Sequence, residues 1–217
     1  MNNPTPLLPY PSTPKVIGIT GGIGSGKSTI AREIASRGYR LYDTDREAKR
    51  LIVEDPELRA QITSLLGADV YEGNTYRTDI VSARVFANPD LLRRLNALVH
   101  PAVRHDIENL LNSKLSTKGC NETATLNSTL STLNLIIESA LLFESGLDAL
   151  CDKVICVTAP EDIRIARTVA RDHTTPAKVR ARIAAQMDEA ERARKADIVL
   201  VNDGKTSIPT LIDTLLL

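Results

Sequence analysis

Residues 21–29 read Gly-Gly-Ile-Gly-Ser-Gly-Lys-Ser-Thr and match the pattern G-x-x-x-x-G-K-[S/T], with Gly21, Gly26, Lys27 and Ser28 in the fixed places. Glycines let a backbone turn tightly, so that successive N–H groups converge on one concavity that holds an anion. Lys27 can reach the β- and γ-phosphates of a nucleotide, and the Ser28 hydroxyl can ligate Mg²⁺. The stretch therefore predicts a site for ATP and Mg²⁺. Its predicted binding residues are Gly22, Ile23, Gly24, Ser25, Gly26, Lys27, Ser28 and Thr29.

The residues on either side of this stretch favour a strand before it and a helix after it. Residues 15–20 form a short apolar, β-branched run, which is typical of a buried parallel strand. Residues 28–37 have apolar side chains at helical spacing, and Gly38 marks the end of the helix. An ordinary glycine-rich turn is the alternative. The flanking strand and helix argue against it, because strand, loop and helix are the arrangement that nucleotide binding requires.

Length and composition exclude several classes of protein. The 217 residues include 27 basic and 27 acidic side chains, so no net positive field attracts nucleic acid or an anionic membrane. No apolar run approaches the roughly 18 residues of a membrane span. Cys120, Cys151 and Cys156 fit neither a metal site nor a disulfide framework, which favours a reducing cytoplasm. Residues 1–14 contain five prolines and are predicted to form a disordered extension.

The second predicted strand spans residues 39–42, and two carboxylates follow it. Asp43 and Asp45 then stand at its carboxyl end, where open α/β sheets bind their ligands. One of them can accept the proton of an attacking hydroxyl, and the other can order Mg²⁺ or its waters. The alternative is that Asp43 merely caps the helix that follows.

Residues 46–132 are predicted to form a helical insertion that binds the acceptor substrate. A weak hairpin is expected around Gly73, and one helix is expected to open at Asn88-Pro89 and another at Pro101. Arg77 lies in a turn before a helix and is a candidate phosphate contact. Residues 112–132 are rich in Ser, Thr and Asn and are predicted to form a polar loop.

Three further strands complete the predicted sheet, at residues 133–138, 152–157 and 197–201. Glu138 ends the first of them, as a carboxylate that contacts a metal-bound water or the substrate would, although a structural role is the alternative. Asn202 follows the last strand, at the edge where adenine could bind.

Residues 161–195 are predicted to form a lid of two helices, the second of which begins at Pro176 and contains Gln186. Arg164, Arg167 and Arg171 recur at three- and four-residue spacing and so share one helix face. A lid that closes arginines over ATP phosphates explains this face, and a solvated basic surface is the alternative.

Several short motifs in residues 15–217 together carry a resemblance to a known family. They are T-G-G-I-G-S-G-K-S-T at 20–29, D-x-D at 43–45, H-P at His100-Pro101, L-L-F-E at 141–144, R-x-x-x-R-D at 167–172 and A-D-x-V-x-x-N at 196–202. In these motifs the chain resembles the dephospho-CoA kinase family. Ala140 stands where that family usually has proline before L-L-F-E, a change that removes no polar group.

The resemblance implies that ATP phosphorylates the ribose 3′-hydroxyl of dephospho-CoA to give CoA and ADP. It implies Asp45 as the general base, with Lys27 and Arg167 stabilising the transferred phosphoryl group. Arg167 and Asn202 join the ATP-binding residues. The implied substrate-binding residues are Asp43, Asp45, Arg77, His100, Glu138 and Leu142. We expect a cytoplasmic enzyme that is a monomer or a weakly associated homo-oligomer.

The predicted fold is a three-layer α/β/α P-loop fold. It combines a five-stranded, mainly parallel sheet in residues 15–45, 133–160 and 196–217 with the helical insertion and the lid. Another P-loop kinase for a nucleoside, nucleotide or small alcohol remains an alternative, because the residues do not identify the acceptor. A GTPase lacks support, since N-K-x-D is absent from the sequence. A non-catalytic module is disfavoured by the intact Lys27, Ser28 and Asp45.

Overall fold

The computed structural model describes residues 16–113 and 134–216, which form two compact units. Among these residues, the first unit contains 16–42 and 134–216, and the second contains 43–113. The predicted extension at 1–14, Cys120 and most of the predicted polar loop at 112–132 lie outside the described residues.

The regular elements follow one another in an order that alternates strands and helices in the first unit and is mainly helical in the second. They are β1 (Val16–Thr20), α1 (Lys27–Ser36), β2 (Arg40–Asp43), α2 (Thr44–Glu54), α3 (Pro56–Leu66), β3 (Tyr71–Glu72), β4 (Thr75–Tyr76), α4 (Thr78–Ala87), α5 (Pro89–Ser113), β5 (Leu135–Glu138), β6 (Lys153–Thr158), α6 (Glu161–Asp172), α7 (Pro176–Ala184), α8 (Glu189–Lys195), β7 (Ile198–Val201) and α9 (Ile208–Leu216). None of the described helices is both long enough and apolar enough to cross a membrane.

The sheet of the first unit has the strand order β2-β5-β1-β6-β7. β1 pairs in parallel with β5 and β6, and β6 pairs in parallel with β7. β1 and β5 are buried along their whole length, as expected for central strands with helices on both faces. The predicted α/β fold class is confirmed. The loop after β1 therefore lies at the carboxyl edge of the central strand, where such sheets bind ligands.

One face of the sheet packs against α1 and α9. The buried positions of α1, Ile30, Ala31 and Ile34, have the helical spacing that the sequence predicted. They join a core whose members are Ile17, Ile19, Ile30, Ala31, Ile34, Ile136, Ile155, Val157, Leu200 and Ile212. This packing anchors the helix that follows the glycine-rich loop.

At the start of two strands, an aspartate binds the first residues of its neighbour through two hydrogen bonds. The Asp152 carboxylate accepts from the Val16 N–H at 2.7 Å, and the Asp152 N–H donates to the Val16 carbonyl at 2.8 Å. Asp197 repeats the arrangement on Val154, at 2.7 and 3.0 Å. The amino ends of β1 and β6 are thus closed by carboxylates rather than by a further strand residue.

The second unit consists of α2 to α5 and the β3–β4 hairpin. The hairpin is antiparallel and turns at Gly73, close to where it was predicted. The prediction of two helices separated at Pro101 was wrong, because α5 is one 25-residue helix with Pro101 inside it. Its buried residues, Leu95, Val99, Val103 and Ile107, recur every four positions on both sides of the exposed proline. Burial of one continuous apolar face outweighs the loss of a single backbone hydrogen bond.

The segment between β6 and β7 contains three helices rather than the predicted two. α7 ends at Ala184, so Gln186 lies after it and not within it, and α8 follows. Asp188 caps α8 by accepting from the Glu191 N–H at 3.0 Å. α8 is only seven residues long and mostly charged, so its sequence offers little apolar periodicity to predict it from.

Candidate active site

The glycine-rich loop connects β1 to α1 and lies against α6 and the end of β7. Gly24 and Gly26 adopt φ values of 78° and 90°, a left-handed region that glycine enters without strain. A Cβ atom at Gly24 would meet the Arg164 carbonyl of α6, and one at Gly26 would meet the Asn202 side chain. Glycine is therefore required at both positions for conformation and for space.

The backbone N–H groups of the loop divide into two sets. Ile23 donates to the Gln186 side chain at 2.9 Å. Ser25 and Thr29 donate to loop carbonyls at 3.1 and 3.0 Å. Among the described residues no acceptor faces the N–H groups of Gly24, Gly26, Lys27 and Ser28. This second set, with the N-terminus of α1, is suited to bind an anion.

Lys27 and Ser28 both approach Glu138 at the end of β5. The Ser28 hydroxyl donates to Glu138 Oε1 at 2.6 Å, and Lys27 Nζ lies 3.8 Å from the same oxygen. The hydroxyl hydrogen is thereby directed at the carboxylate, and the lone pairs of the Ser28 oxygen remain available to a metal ion. Oxygen donors of this kind suit Mg²⁺, which uses few protein ligands and completes its shell with phosphate and water. In the described ranges no group of three His, Cys, Asp or Glu side chains is arranged to hold a metal ion by itself.

Arg164, which was predicted to lie on the arginine face of the lid, is buried. Its side chain is only 3% exposed. Its Nε donates to the Ile23 carbonyl at 3.0 Å, and its guanidinium pairs with Glu189 of α8. The charge is thus neutralised within the protein, and Arg164 joins α6 to the loop and to α8.

Arg167 lies one turn further along α6 and remains beside the loop. Its Nη1 donates to the Asn202 carbonyl at 3.0 Å and reaches the Ser25 carbonyl at 3.5 Å. The Asn202 side chain donates to the same Ser25 carbonyl at 2.9 Å and is almost fully buried. Asn202 therefore supports the loop from behind.

Arg171 is exposed and pairs with Asp172, which also accepts from Arg182 of α7. Hydrogen bonds from these two guanidinium groups, Arg171 first, hold the pKa of the Asp172 carboxyl well below its usual range. The structure thus separates the three arginines of the predicted face: one is buried, one contacts the loop, and one is paired at the end of the helix.

Asp43 and Asp45 belong to the second unit and differ in their surroundings. The Asp43 carboxylate caps α2 by accepting from the N–H groups of Asp45 and Arg46 at 3.0 and 3.1 Å. Asp45 lies in the first turn of α2 and is exposed, and no donor to its carboxylate occurs in the described ranges. The capping alternative thus applies to Asp43, while the Asp45 carboxylate is available to an external proton donor.

The other predicted substrate residues lie in three different environments. Arg77 pairs with Glu72 and Asp79, at 3.0 and 2.9 Å, so two carboxylates already occupy its guanidinium. His100 is half-buried within α5. Leu142, in the first unit, is fully buried, and a Cβ on Gly18 would lie 2.8 Å from its Cδ2, so its side chain fills the core.

The two described cysteines are unreactive by environment. Burial, with the neighbouring carboxylates of Asp148, Asp152 and Asp197, raises the pKa of the Cys151 thiol to about 12. Burial also raises the pKa of Cys156 to about 11. Both thiols therefore stay protonated at neutral pH.

Comparisons with known proteins agree on one family. The family model described as dephospho-CoA kinase matches residues 15–207. The chain belongs to the dephospho-CoA kinase family. A curated dephospho-CoA kinase from Porphyromonas gingivalis is 40% identical over 187 residues, which cover 86% of this chain and 85% of that protein. One from Salinibacter ruber is 38% identical over 189 residues, covering 87% and 88%.

Solved structures support the same fold for this member of the dephospho-CoA kinase family. A crystal structure of a Thermus thermophilus protein matches with a TM-score of 0.70 and 33% identity, and the match covers 94% of this chain and 95% of that one. Gln186, which was predicted to lie in the second helix of the lid, received no role from the sequence. Only the folded chain brings it to Ile23, 163 residues away.

Proposed function

We propose that this kinase transfers the γ-phosphoryl group of ATP to the ribose 3′-hydroxyl of dephospho-CoA, giving CoA and ADP. The observation that carries the proposal is the convergence of Lys27 and Ser28 on Glu138 at the carboxyl edge of the sheet, in a chain of this family. Four unpaired N–H groups of the loop and a lysine supply the positive potential that a triphosphate needs.

In the proposed step the 3′-oxygen attacks the γ-phosphorus while the bond from that phosphorus to the β–γ bridging oxygen breaks. ADP leaves with the electron pair of that bond, and Asp45 takes the hydroxyl proton. Asp45 suits this role because its carboxylate is exposed and receives no donor from the described residues. Asp43 is engaged as the cap of α2, so it orients the first turn that carries Asp45.

Positive side chains balance the charge of the transferred group. Lys27 acts as a point charge on the β- and γ-phosphates. Arg167, whose remaining guanidinium donors are not used by the loop, stabilises charge that develops during transfer. Ser28 and Glu138 would hold Mg²⁺, which would supply positive charge to neutralise the phosphate groups. We propose that the enzyme acts in the cytoplasm, where free thiols such as its two described cysteines persist. We also propose that it is a monomer or a weak homo-oligomer.

The acceptor is tested by ADP release with dephospho-CoA, adenosine, shikimate and pantothenate as alternative substrates. We expect release with dephospho-CoA alone, and mass spectrometry with ³¹P NMR should place the new phosphate on the ribose 3′-oxygen. Release with another acceptor, or phosphate at another position, would refute the proposed reaction.

The proposed base is tested by comparing Asp45→Asn with Asp43→Asn. The first should lower kcat by about 10²–10⁴-fold with ATP affinity retained, because only proton acceptance is lost. The second should change both kcat and stability little, because asparagine caps a helix about as well as aspartate and can still accept from the Asp45 and Arg46 N–H groups. A near-normal kcat for Asp45→Asn would remove Asp45 from the role of base.

A further inference from the structure

Two carbonyl groups on the outer side of the glycine-rich loop are held by side chains of other elements. The Ile23 carbonyl accepts from Arg164 Nε at 3.0 Å. The Ser25 carbonyl accepts from Asn202 Nδ2 at 2.9 Å, with Arg167 Nη1 at 3.5 Å. These carbonyls belong to alternate peptide groups of the loop, the ones that join Ile23 to Gly24 and Ser25 to Gly26.

Because a peptide group is rigid, the two carbonyl contacts also fix the directions of two N–H groups. A trans peptide is planar, and its C=O and N–H point in opposite directions. The described residues contain no cis peptide bond. Because the Ile23 carbonyl points toward α6, the Gly24 N–H points away from it. Because the Ser25 carbonyl points toward Asn202, the Gly26 N–H points away from Asn202.

The peptide groups before and between these two use their N–H groups within the protein. In the preceding Gly22–Ile23 peptide, the Ile23 N–H donates to Gln186. In the intervening Gly24–Ser25 peptide, the Ser25 N–H donates to the Gly22 carbonyl at 3.1 Å. The loop therefore alternates between peptides whose N–H is used by the protein and peptides whose N–H is left for a ligand. Gly24 and Gly26 are members of the second set.

The supporting side chains are placed firmly enough to act as anchors. Arg164 is 3% exposed and Asn202 is 5% exposed. Glu189 neutralises Arg164, so the guanidinium need not turn toward a phosphate to find a counter-charge. A Cβ at Gly22 would collide with the Arg164 guanidinium, and one at Gly26 would collide with the Asn202 side chain, so the loop packs closely against both anchors.

We propose that Arg164 and Asn202 are positioning residues for ATP, which turn the N–H groups of Gly24 and Gly26 toward its phosphates by holding the carbonyls of Ile23 and Ser25. The proposal rests on ATP binding at the loop, which is part of the proposed function, and it does not depend on the acceptor. Neither side chain touches ATP in this role. Asn202 thus serves the phosphate end of ATP, and not the adenine end where the sequence placed it.

The test uses the full-length protein labelled with ¹⁵N-glycine, which gives amide signals from its eleven glycines. Asn202→Leu removes one anchor while keeping the side-chain volume. Arg164→Met combined with Glu189→Gln removes the other without leaving the Glu189 carboxylate unpaired. Glu189→Gln alone is the matched control, because the bond from Arg164 to the Ile23 carbonyl remains. Asn202→Ala and Arg164→Ala with Glu189→Gln repeat the measurement if the first variants fold poorly, as judged by circular dichroism.

The expected result is that each anchor variant changes the ATP-induced shift of one glycine and leaves the other unchanged. ATP with Mg²⁺ should shift the Gly24 and Gly26 amide protons downfield in the wild type and in the control. Asn202→Leu should abolish the Gly26 shift and keep that of Gly24, and the Arg164 variants should do the reverse. Each anchor variant should bind ATP about 10- to 100-fold more weakly, as expected for the loss of one charge-assisted hydrogen bond.

Every other pattern overturns the proposal. Unchanged shifts of both glycines, equal loss of both in either variant, or unchanged ATP affinity would each show that the anchors do not orient the N–H groups. No acceptor is present in these measurements. A wild-type protein that binds ATP but fails to phosphorylate dephospho-CoA would refute the proposed reaction and leave this test intact.

Discussion

Glu138 connects the stability of the first unit to its chemistry, so Glu138→Gln should change both. Its carboxylate is 7% exposed, receives the Ser28 hydroxyl and pairs with Lys27, whose side chain is 17% exposed. Glutamine keeps the volume and can still accept from Ser28. It loses the negative charge that both partners face.

The expected loss of stability follows from those two contacts. A hydrogen bond to a charged group contributes about 1.5–3 kcal/mol, and a neutral one about 0.5–1.5 kcal/mol. The pair with Lys27 adds about 1 kcal/mol, because the cost of burying the Glu138 charge offsets most of the Coulomb attraction between the two side chains. The total is about 2 kcal/mol. For a chain of this length that corresponds to a fall in Tm of about 4–8 °C.

Calorimetry measures the stability, and ATP turnover at varied Mg²⁺ concentration measures the chemistry. We expect the half-saturating Mg²⁺ concentration to rise about tenfold, equivalent to about 1.4 kcal/mol of binding free energy. Glu33→Gln is the control, because it removes the surface pair with Arg37, which contributes at most about 1 kcal/mol. Equal Tm changes in the two variants, with an unaltered Mg²⁺ dependence, would refute both roles of Glu138.

Three further outcomes can be checked. Lys27→Ala should abolish turnover in an ADP-release assay, and retained activity would refute phosphate binding by the loop. Because Arg171 lowers the pKa of folded Asp172, that pair stabilises the protein above the ordinary carboxyl pKa and is lost as pH falls through the lowered value. The Tm difference between wild type and Asp172→Asn should therefore shrink between about pH 4 and pH 2, and a constant difference would contradict it. Because partial burial raises its pKa to about 12, Cys151 should resist iodoacetamide at pH 8 in the folded protein, as peptide mass mapping would show, whereas rapid labelling would contradict the raised pKa.

Local signals in the sequence predicted the elements whose form depends on neighbouring residues. The glycine pattern at 21–29, the apolar strands and the α1 periodicity each follow from spacing within a few residues. Glu138 was placed correctly at a strand end for the same reason. The fold class therefore could be predicted before any tertiary contact was known.

The contacts that the sequence could not supply join residues far apart in the chain. The sequence indicated that Arg164 is available to bind an anion, because its partners Ile23 and Glu189 lie 141 and 25 residues away. Gln186 offered no local signal for its bond to Ile23. Pro101 predicted a helix start, since propensity does not reveal that an apolar face continues beneath it. In each case tertiary packing decided the outcome.

The paired aspartate contacts at Val16 and Val154 bear on how this sheet opens. Strand ends ordinarily fray, so their amide hydrogens exchange with solvent faster than those of strand centres. Here Asp152 and Asp197 each close a strand end by one accepted and one donated bond. The amides of Val16 and Val154 should consequently exchange as slowly as those within β1 and β6. We therefore expect local opening of these strands to begin at their carboxyl ends, next to the glycine-rich loop.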